Sequence, residues 1–406
     1  MEYEVKEFYD AETFYEYRKI CSTLFRVPIK ELCDYDEYLK VFNGYEKDPD
    51  FLRLGSFAEG KLHGGVQFPH FMVNYDGNVL KMYGPGGVVS NFNQPFKGAI
   101  KQIFKRAFEI MKERKAYISY VFPFSDNYYR QFGYETTGLK TLWEIPVCGF
   151  KSYDDGYFVS FDNSDKMKEE IKDIYNSFSS KRNMSVVRND KDWDKFFASH
   201  TQYKDNMYSF VSYTDTGADG FMCFSLKDTP DDLPNVIVES LWFKSYKGLR
   251  ALLSYFATQT IYIKNVYINL AADVDLYPVI DSRLVNALRR TNCKISTNGQ
   301  TRIVCAEEIL KLSKYQGEGK VTIKIKDDTY CPWNNNCYTI TFGKSTTVTI
   351  GGEPDIEMNI NAFSAGIMGY TDFDALTIFP DVKMYGNEEN LRKVFYKKPS
   401  WIEEHY

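Results

Sequence analysis

The sequence predicts an α+β protein in which two tandem mixed-sheet units, each flanked by helices, precede a smaller strand-rich α/β unit. Three observations carry this expectation. A chain of 406 residues exceeds what one hydrophobic core supports, so two or three domains are expected. The apolar spacing switches repeatedly between the two-residue period of strands and the 3.6-residue period of helices. The strand–turn–helix–strand order of the first third also recurs, weakly, in the second. These patterns place the units at 1–148, 149–292 and 293–406.

The elements follow in order. "DAETFYEYRKICSTLF" opens with Asp10 as an N-cap before a helical pattern. From Leu52 to Ser90, short alternating runs are punctuated by Glu-Gly, Gly-Gly and Asp-Gly, the signature of antiparallel strands joined by turns. Ile100, Ile103, Phe104, Ala107, Phe108 and Met111 then recur at helical spacing in a helix ending near Lys115. "AYISYVFPF" reads as a buried strand, "YYRQFGYE" as a short helix with a tight turn, and "GLKTLWEIPV" as the closing strand of the first unit. The second unit has a helix at "DKMKEEIKDIYNSF", strands at "YSFVSYT", "GFMCFSL" and Val236–Phe243, a helix facing inward through Leu249, Leu252, Leu253 and Phe256, and a strand at "NVYINLA". The third has a helix at "EEILKLSKY" and alternating strands at "GKVTIKIKDD", "CYTITFGK" and "STTVTIGG".

Composition narrows the function classes. Tyr and Phe number 32 and 31, which supplies ample material for several cores. The net charge of −5 argues against non-specific nucleic-acid binding and fits a cationic small molecule or no charged partner. No apolar run approaches the roughly 18 residues of a membrane span, and the acidic start "MEYEVKEFYD" is not a signal peptide. Eight scattered cysteines without a Cys-x-x-Cys pair, and only four histidines, point to reduced thiols in the cytoplasm and to no metal site. "CPWNNNC" reads as a turn between two hairpin strands.

The candidate chemistry lies in the first unit. In "GGVVSNFNQPFKGAIKQIF" a strand runs through a turn into a helix, and a helix start offers free N–H groups and a positive dipole to a phosphate. Gly98 permits close approach, and Lys97 and Lys101 add charge. A strand–glycine–helix junction is common by itself. Joined to "YYRQFGYE" after the next strand, it resembles the acetyltransferase domain of the GNAT superfamily. Two such units, a strand-rich third, "SAGIMGY", "LWFKSYKGLRALLSYF" and an aromatic last residue are together similar to the enhanced intracellular survival (Eis) protein family, over the whole chain.

The resemblance implies two tandem GNAT-like domains, the second degenerate, followed by a sterol-carrier-like domain, and a homo-oligomer of hexamer type. It implies an acetyl-CoA-dependent N-acetyltransferase whose acceptor is a small or peptidic amine, while the charge and apolar pattern above lead us to expect neither nucleic acid nor membrane as partner. Residue by residue it implies that Val88, Val89 and Ser90 meet the pantetheine amides, and that Phe96, Lys97, Gly98, Ala99, Ile100 and Lys101 form the pyrophosphate turn. Ser125 and Asp126 fall on the loop beside the cosubstrate, Tyr129 on the general acid, and Tyr406 on the terminal carboxylate used as general base. One departure stands out: Pro95 occupies the place usual for Arg or Gln, with Gln94 one position early, and Ile100 replaces a small residue. Proline has no N–H to give. A second reading is therefore a non-catalytic relative, a binding or scaffold protein of the same fold.

The residue types suit the chemistry. Tyrosine, with an ordinary pKa of about 10 against about 8.5 for a thiol, stays protonated at neutral pH and can donate to a thiolate. An α-carboxylate, near 3.5, is a weak base unless buried, relayed by water, or used to attract the cationic amine. Glu403 and Glu404 are alternative holders of that amine, and Tyr128 and Tyr134 read as core. No Gly-x-Ser-x-Gly motif competes.

Overall fold

The structure, a computed structural model, describes residues 3–26, 34–41, 51–91, 98–200, 206–230, 233–280 and 292–404. Two compact units emerge, and they do not follow chain order. One comprises Met1–Thr137, Gly299–Lys397 and Glu404–Tyr406, the other Gly138–Asn298 and Lys398–Glu403.

The first unit begins with strand β1 (Glu4–Glu7) and helix α1 (Ala11–Phe25). Asp10 caps α1 as expected, its carboxylate accepting from the Thr13 N–H at 2.8 Å. Helix α2 (Tyr35–Val41) follows. Strands β2 (Phe51–Ala58), β3 (Lys61–Tyr75), β4 (Asn78–Tyr83) and β5 (Gly86–Ser90) are the expected antiparallel run: β3 pairs β2 on one edge, and β4 and then β5 on the other. Helix α3 (Ala99–Glu113) buries Ile103, Phe104, Ala107, Phe108 and Met111 against β2 and β3, the face that the helical spacing predicts. Strand β6 (Ile118–Val121) is buried at every position, and the short helix α4 (Asp126–Arg130) carries Tyr129.

Strand β7 (Glu135–Pro146) departs from expectation. It pairs antiparallel with β12 (Asn265–Ala271), from Lys140↔Ala271 to Asn265↔Pro146. The reason lies in its side chains. Trp143 and Ile145 enter the core of the second unit, so the strand is held where its apolar face is buried. That unit continues with β8 (Tyr157–Ser160), α5 (Asp165–Ser179), α6 (Asp190–Ser199), β9 (Met207–Thr214), β10 (Gly217–Lys227), β11 (Asn235–Phe243) and α7 (Tyr246–Ala257), in the sheet order β7-β12-β11-β10-β9-β8. The helix α6, capped by a reciprocal Asn189–Asp192 box, was not among the sequence expectations.

Strand β13 (Asn292–Ile303) returns the chain to the first unit, where Gln300–Ile303 pair antiparallel with β6. Helix α8 (Ala306–Leu312) leads into a second sheet of order β16-β15-β14-β17-β18, built from β14 (Gly319–Lys326), β15 (Cys337–Phe342), β16 (Thr347–Ile350), β17 (Ile356–Asn359) and β18 (Lys383–Met384). "CPWNNNC" lies between the antiparallel pair β14 and β15, as read. Helices α9 (Ile360–Ile367), α10 (Phe373–Leu376) and α11 (Glu388–Val394) complete it. Among the described residues no helix is long and apolar enough to cross a membrane.

This sheet carries an acid-sensitive strut. Glu357 on β17 is gripped by Lys324 at 2.7 Å and Lys326 at 2.9 Å on β14. Their hydrogen bonds pull its pKa from the ordinary 4.5 down to about 2. A depressed carboxylate pKa adds stability above the ordinary value and loses it as pH falls through the folded value. Glu357→Gln should therefore lower the melting temperature by about 2–4 °C at pH 7. The gap to the parent should close between about pH 4.5 and 2 in a calorimetric pH series, and a gap unchanged across that range would contradict the strut.

Candidate active site

In the first unit, β4 and β6 are parallel neighbours for only two pairs, Met82↔Ile118 and Tyr83↔Ser119. The chain then swings to β5, which pairs with β3, while β6 carries on beside β13. No pair joins β5 to β6 among the described residues. A strand bonded on one side leaves alternate peptide groups facing the other way, so the parted strands present N–H and C=O groups to a gap. The parting is pinned at its vertex: the Ser119 hydroxyl donates to the Tyr83 carbonyl at 2.8 Å and shares a 2.6 Å bond with the Tyr134 hydroxyl.

Strand β5 ends beside this gap with Val88 half-buried, Val89 buried and Ser90 exposed. Alternation sends Val88 to the cluster that holds Ile100, Phe104 and Tyr129, while Val89 packs beneath α1 with Tyr17. The Tyr17 hydroxyl in turn donates to the Gly87 carbonyl at 2.7 Å, fixing the strand's start. Of the pyrophosphate turn, Phe96 and Lys97 lie outside the described residues, as do Gln94 and Pro95. Gly98 has φ +106, a conformation that favours glycine, and a side chain there would meet nothing within 4 Å. No side chain caps α3 at Gly98. Among the described residues nothing takes up the N–H groups of Ala99, Ile100 and Lys101, the first of the helix, and such groups suit an anion. Ala99 and Ile100 are buried and Lys101 is exposed. A glycine-led helix start with no side-chain cap among the described residues fits the pyrophosphate of a CoA thioester.

Ser125 precedes α4, Asp126 opens it, and Tyr129 stands one turn further on. Tyr129 is only 3% exposed, ringed by Phe104, Phe124, Tyr128 and Tyr134 at centroid distances of 6.3, 5.6, 5.2 and 5.9 Å. Burial, then the neighbouring Tyr128, pushes its pKa above the ordinary tyrosine value, so the hydroxyl keeps its proton at neutral pH. Among the described residues that hydroxyl has no hydrogen-bond partner. Tyr134, by contrast, is fully buried and bonded to Ser119. Phe132 stacks on Phe104 at 4.2 Å and ties the turn to α3, a contact of about 0.5–1.5 kcal/mol beyond its area.

Tyr406 lies outside the described residues. The segment before it is gripped within the second unit: Asn183 bonds to Pro399 and Trp401, Ser185 to Trp401, and Asn298 to Ile402. Glu403 is committed there, accepting from Ser240 at 2.5 Å and from the Trp242 indole at 2.7 Å. Its carboxylate is thus occupied, which removes it as a holder of the amine.

The second unit repeats the geometry but fills it. Strands β11 and β12 are parallel for three pairs, Val236↔Val266 to Val238↔Ile268. Just past the last pair, Ser240 and Trp242 bind Glu403. At the start of α7, Asp219 stands where an anion would sit. It is buried at a bulge in β10 and accepts from the Ser245 N–H at 2.9 Å and the Ser245 hydroxyl at 2.6 Å. Ser245 caps α7 through Gly248, and a Cβ on Gly248 would strike Asp219. An acid between Gly217 and Gly220 in an otherwise apolar strand was the sequence signal for this arrangement.

Comparison with known proteins agrees with this geometry. Residues 17–137 and 185–302 each match an Acetyltransferase (GNAT) domain family, and residues 306–403 match the Sterol carrier protein domain family. The chain is thus built of two GNAT acetyltransferase domains followed by a sterol carrier protein domain, and it is an acyltransferase of GNAT type. Among solved structures it is similar to a probable N-acyltransferase from Enterococcus faecalis V583 (20% identity, TM-score 0.80) and to a GCN5-related N-acetyltransferase from Anabaena variabilis ATCC 29413 (16%, 0.81). It is also similar to Eis1 from Mycobacterium abscessus (15%, 0.79), and all three likenesses cover 100% of both chains. At these identities they speak for the fold. No curated protein matches the chain.

Proposed function

We infer that the protein transfers an acetyl group from acetyl-CoA directly to the amine of a small or peptidic acceptor, with Tyr129 as general acid and the terminal carboxylate of Tyr406 as general base. The observation that carries this reading is Tyr129, a residue only 3% exposed whose hydroxyl keeps its proton yet has no partner among the described residues. Bound acetyl-CoA supplies an activated acetyl thioester. The N–H groups at the start of α3 hold its pyrophosphate, and the one-sided edge of β5, from Val88 to Ser90, binds the pantetheine arm and polarises the carbonyl. The carboxylate of Tyr406 takes the amine proton as the C–N bond forms. Tyr129 protonates the sulfur as the C–S bond breaks, and is recharged from solvent. The resemblance to the Eis family further supports a cytoplasmic homo-oligomer, a hexamer in that family.

Because Asp219 and Glu403 occupy the corresponding places in the second unit, calorimetry should find one acetyl-CoA site per chain. Gly98→Glu should abolish it, since a side chain at φ +106 is strained and a carboxylate repels the pyrophosphate. Two equivalent sites, or binding that survives the substitution, would refute the assignment.

A further inference from the structure

We propose that Asn361, a residue of the sterol carrier protein domain, is a positioning residue for acetyl transfer: it holds the turn that aims Tyr129. The inference rests on the reading of Tyr129 as general acid. Asn361 occupies the first turn of α9, whose cap is Asn359, accepting from the Ala362 N–H at 2.9 Å. With the cap supplied by Asn359, the Asn361 amide is left to reach outward. Its Nδ2 donates to the Tyr134 carbonyl at 2.8 Å and to the Arg130 carbonyl at 3.1 Å. These two carbonyls bracket the turn that follows Tyr129, closed by Phe132 N–H to Tyr129 carbonyl at 2.9 Å and Gly133 N–H to Arg130 carbonyl at 2.9 Å. Both protons of one amide thus staple the two ends of the turn to α9.

The same turn is seated from below. Gly133 has φ +84, and a Cβ there would run into the guanidinium of Arg302 and into Ile360 beside Asn361. Arg302 is fully buried and fixed by Asp328 at 2.6 and 2.7 Å. Arg130, next to Tyr129, is forked onto Glu135 at 2.7–3.1 Å. No hydrogen bond from the described residues holds the Tyr129 hydroxyl itself, so its position is inherited from this backbone. Displacement of a reacting group by about 1 Å costs on the order of 10²-fold in rate.

The test is a double-mutant cycle between Asn361→Ala and Tyr129→Phe. Asn361 is half-exposed, so the alanine variant should fold, and acetyl-CoA calorimetry checks this with an unchanged affinity. Its kcat should fall about 10- to 100-fold with the KM for acetyl-CoA within twofold of the parent. Asn361→Gln, which keeps the amide, should restore part of the loss. In the Tyr129→Phe background the same alanine substitution should cost less than twofold, because there is no proton donor left to misplace. An Asn361→Ala enzyme with parental kcat beside an impaired Tyr129→Phe overturns the positioning role alone, as does a fully additive loss in the double variant. A Tyr129→Phe enzyme with parental kcat overturns the acid reading, and the positioning role with it.

Discussion

Tyr129→Phe should lower turnover roughly 10²–10⁴-fold, the range for losing a general acid, while the melting temperature stays within a degree or two of the parent. The ring is what packs: it touches Phe104, Phe124, Tyr128 and Tyr134, and phenylalanine keeps all four contacts. The hydroxyl has no partner to lose among the described residues, so its removal orphans nothing. Tyr128→Phe is the control. Tyr128 is only half-buried and shares the same aromatic cluster, so its hydroxyl should be dispensable for both turnover and stability. Equal losses at the two positions would mean that the aromatic stretch acts as structure alone. The raised Tyr129 pKa also fixes a sign: no alkaline limb from this residue should appear in kcat below about pH 10, the ordinary tyrosine value.

A single glycine added after Tyr406 should reduce turnover about 10²-fold or more while acetyl-CoA affinity is unchanged. The extension leaves every side chain in place and moves the terminal charge by up to about 3.5 Å, against a tolerance of about 1 Å for a reacting group. The preceding segment sharpens this test. Bonds from Asn183, Ser185, Asn298, Ser240 and Trp242 hold residues 399–403, so slack cannot be absorbed upstream of Glu403. A purification tag at this end should act in the same way. An extended enzyme with parental turnover would show Tyr406 to be a bystander and turn the search for a base toward water held in the first unit.

Much of the local structure was legible in the sequence. The spacing of Ile103, Phe104, Ala107, Phe108 and Met111 gave α3, Asp10 gave the start of α1, and the dipeptide punctuation gave the strand run from Phe51 to Ser90, because each signal is carried by neighbours within a turn or two. Partnerships across the chain were hidden. Nothing local in "GLKTLWEIPV" says that its Trp143 and Ile145 belong to another core, and nothing in "MNINAF" separates the capping asparagine from the one that reaches Tyr134. The pattern around Gly98 and Tyr129 identified the candidate site only through its likeness to a family. Burial of Tyr129 and the lack of a partner for its hydroxyl among the described residues are tertiary facts, as is the occupation of the second unit by Asp219 and Glu403.

The pairing of β13 with β6 has a consequence for how the protein is made. Strand β6 leaves the ribosome early, but the residues that bond to its outer edge, Gln300–Ile303, come only after the whole stretch 138–298 has been synthesised. At typical synthesis rates that is a delay of roughly 10–30 s. During it a strand that is buried at every position in the finished protein waits with a row of open hydrogen-bonding groups, the usual template for unwanted association. The second unit, whose residues 138–298 are continuous, can close while the first is still incomplete, and the terminal segment 398–403 locks onto it last. A chain that stalls before Gly299 therefore carries a first unit whose sheet lacks the strand that pairs with β6.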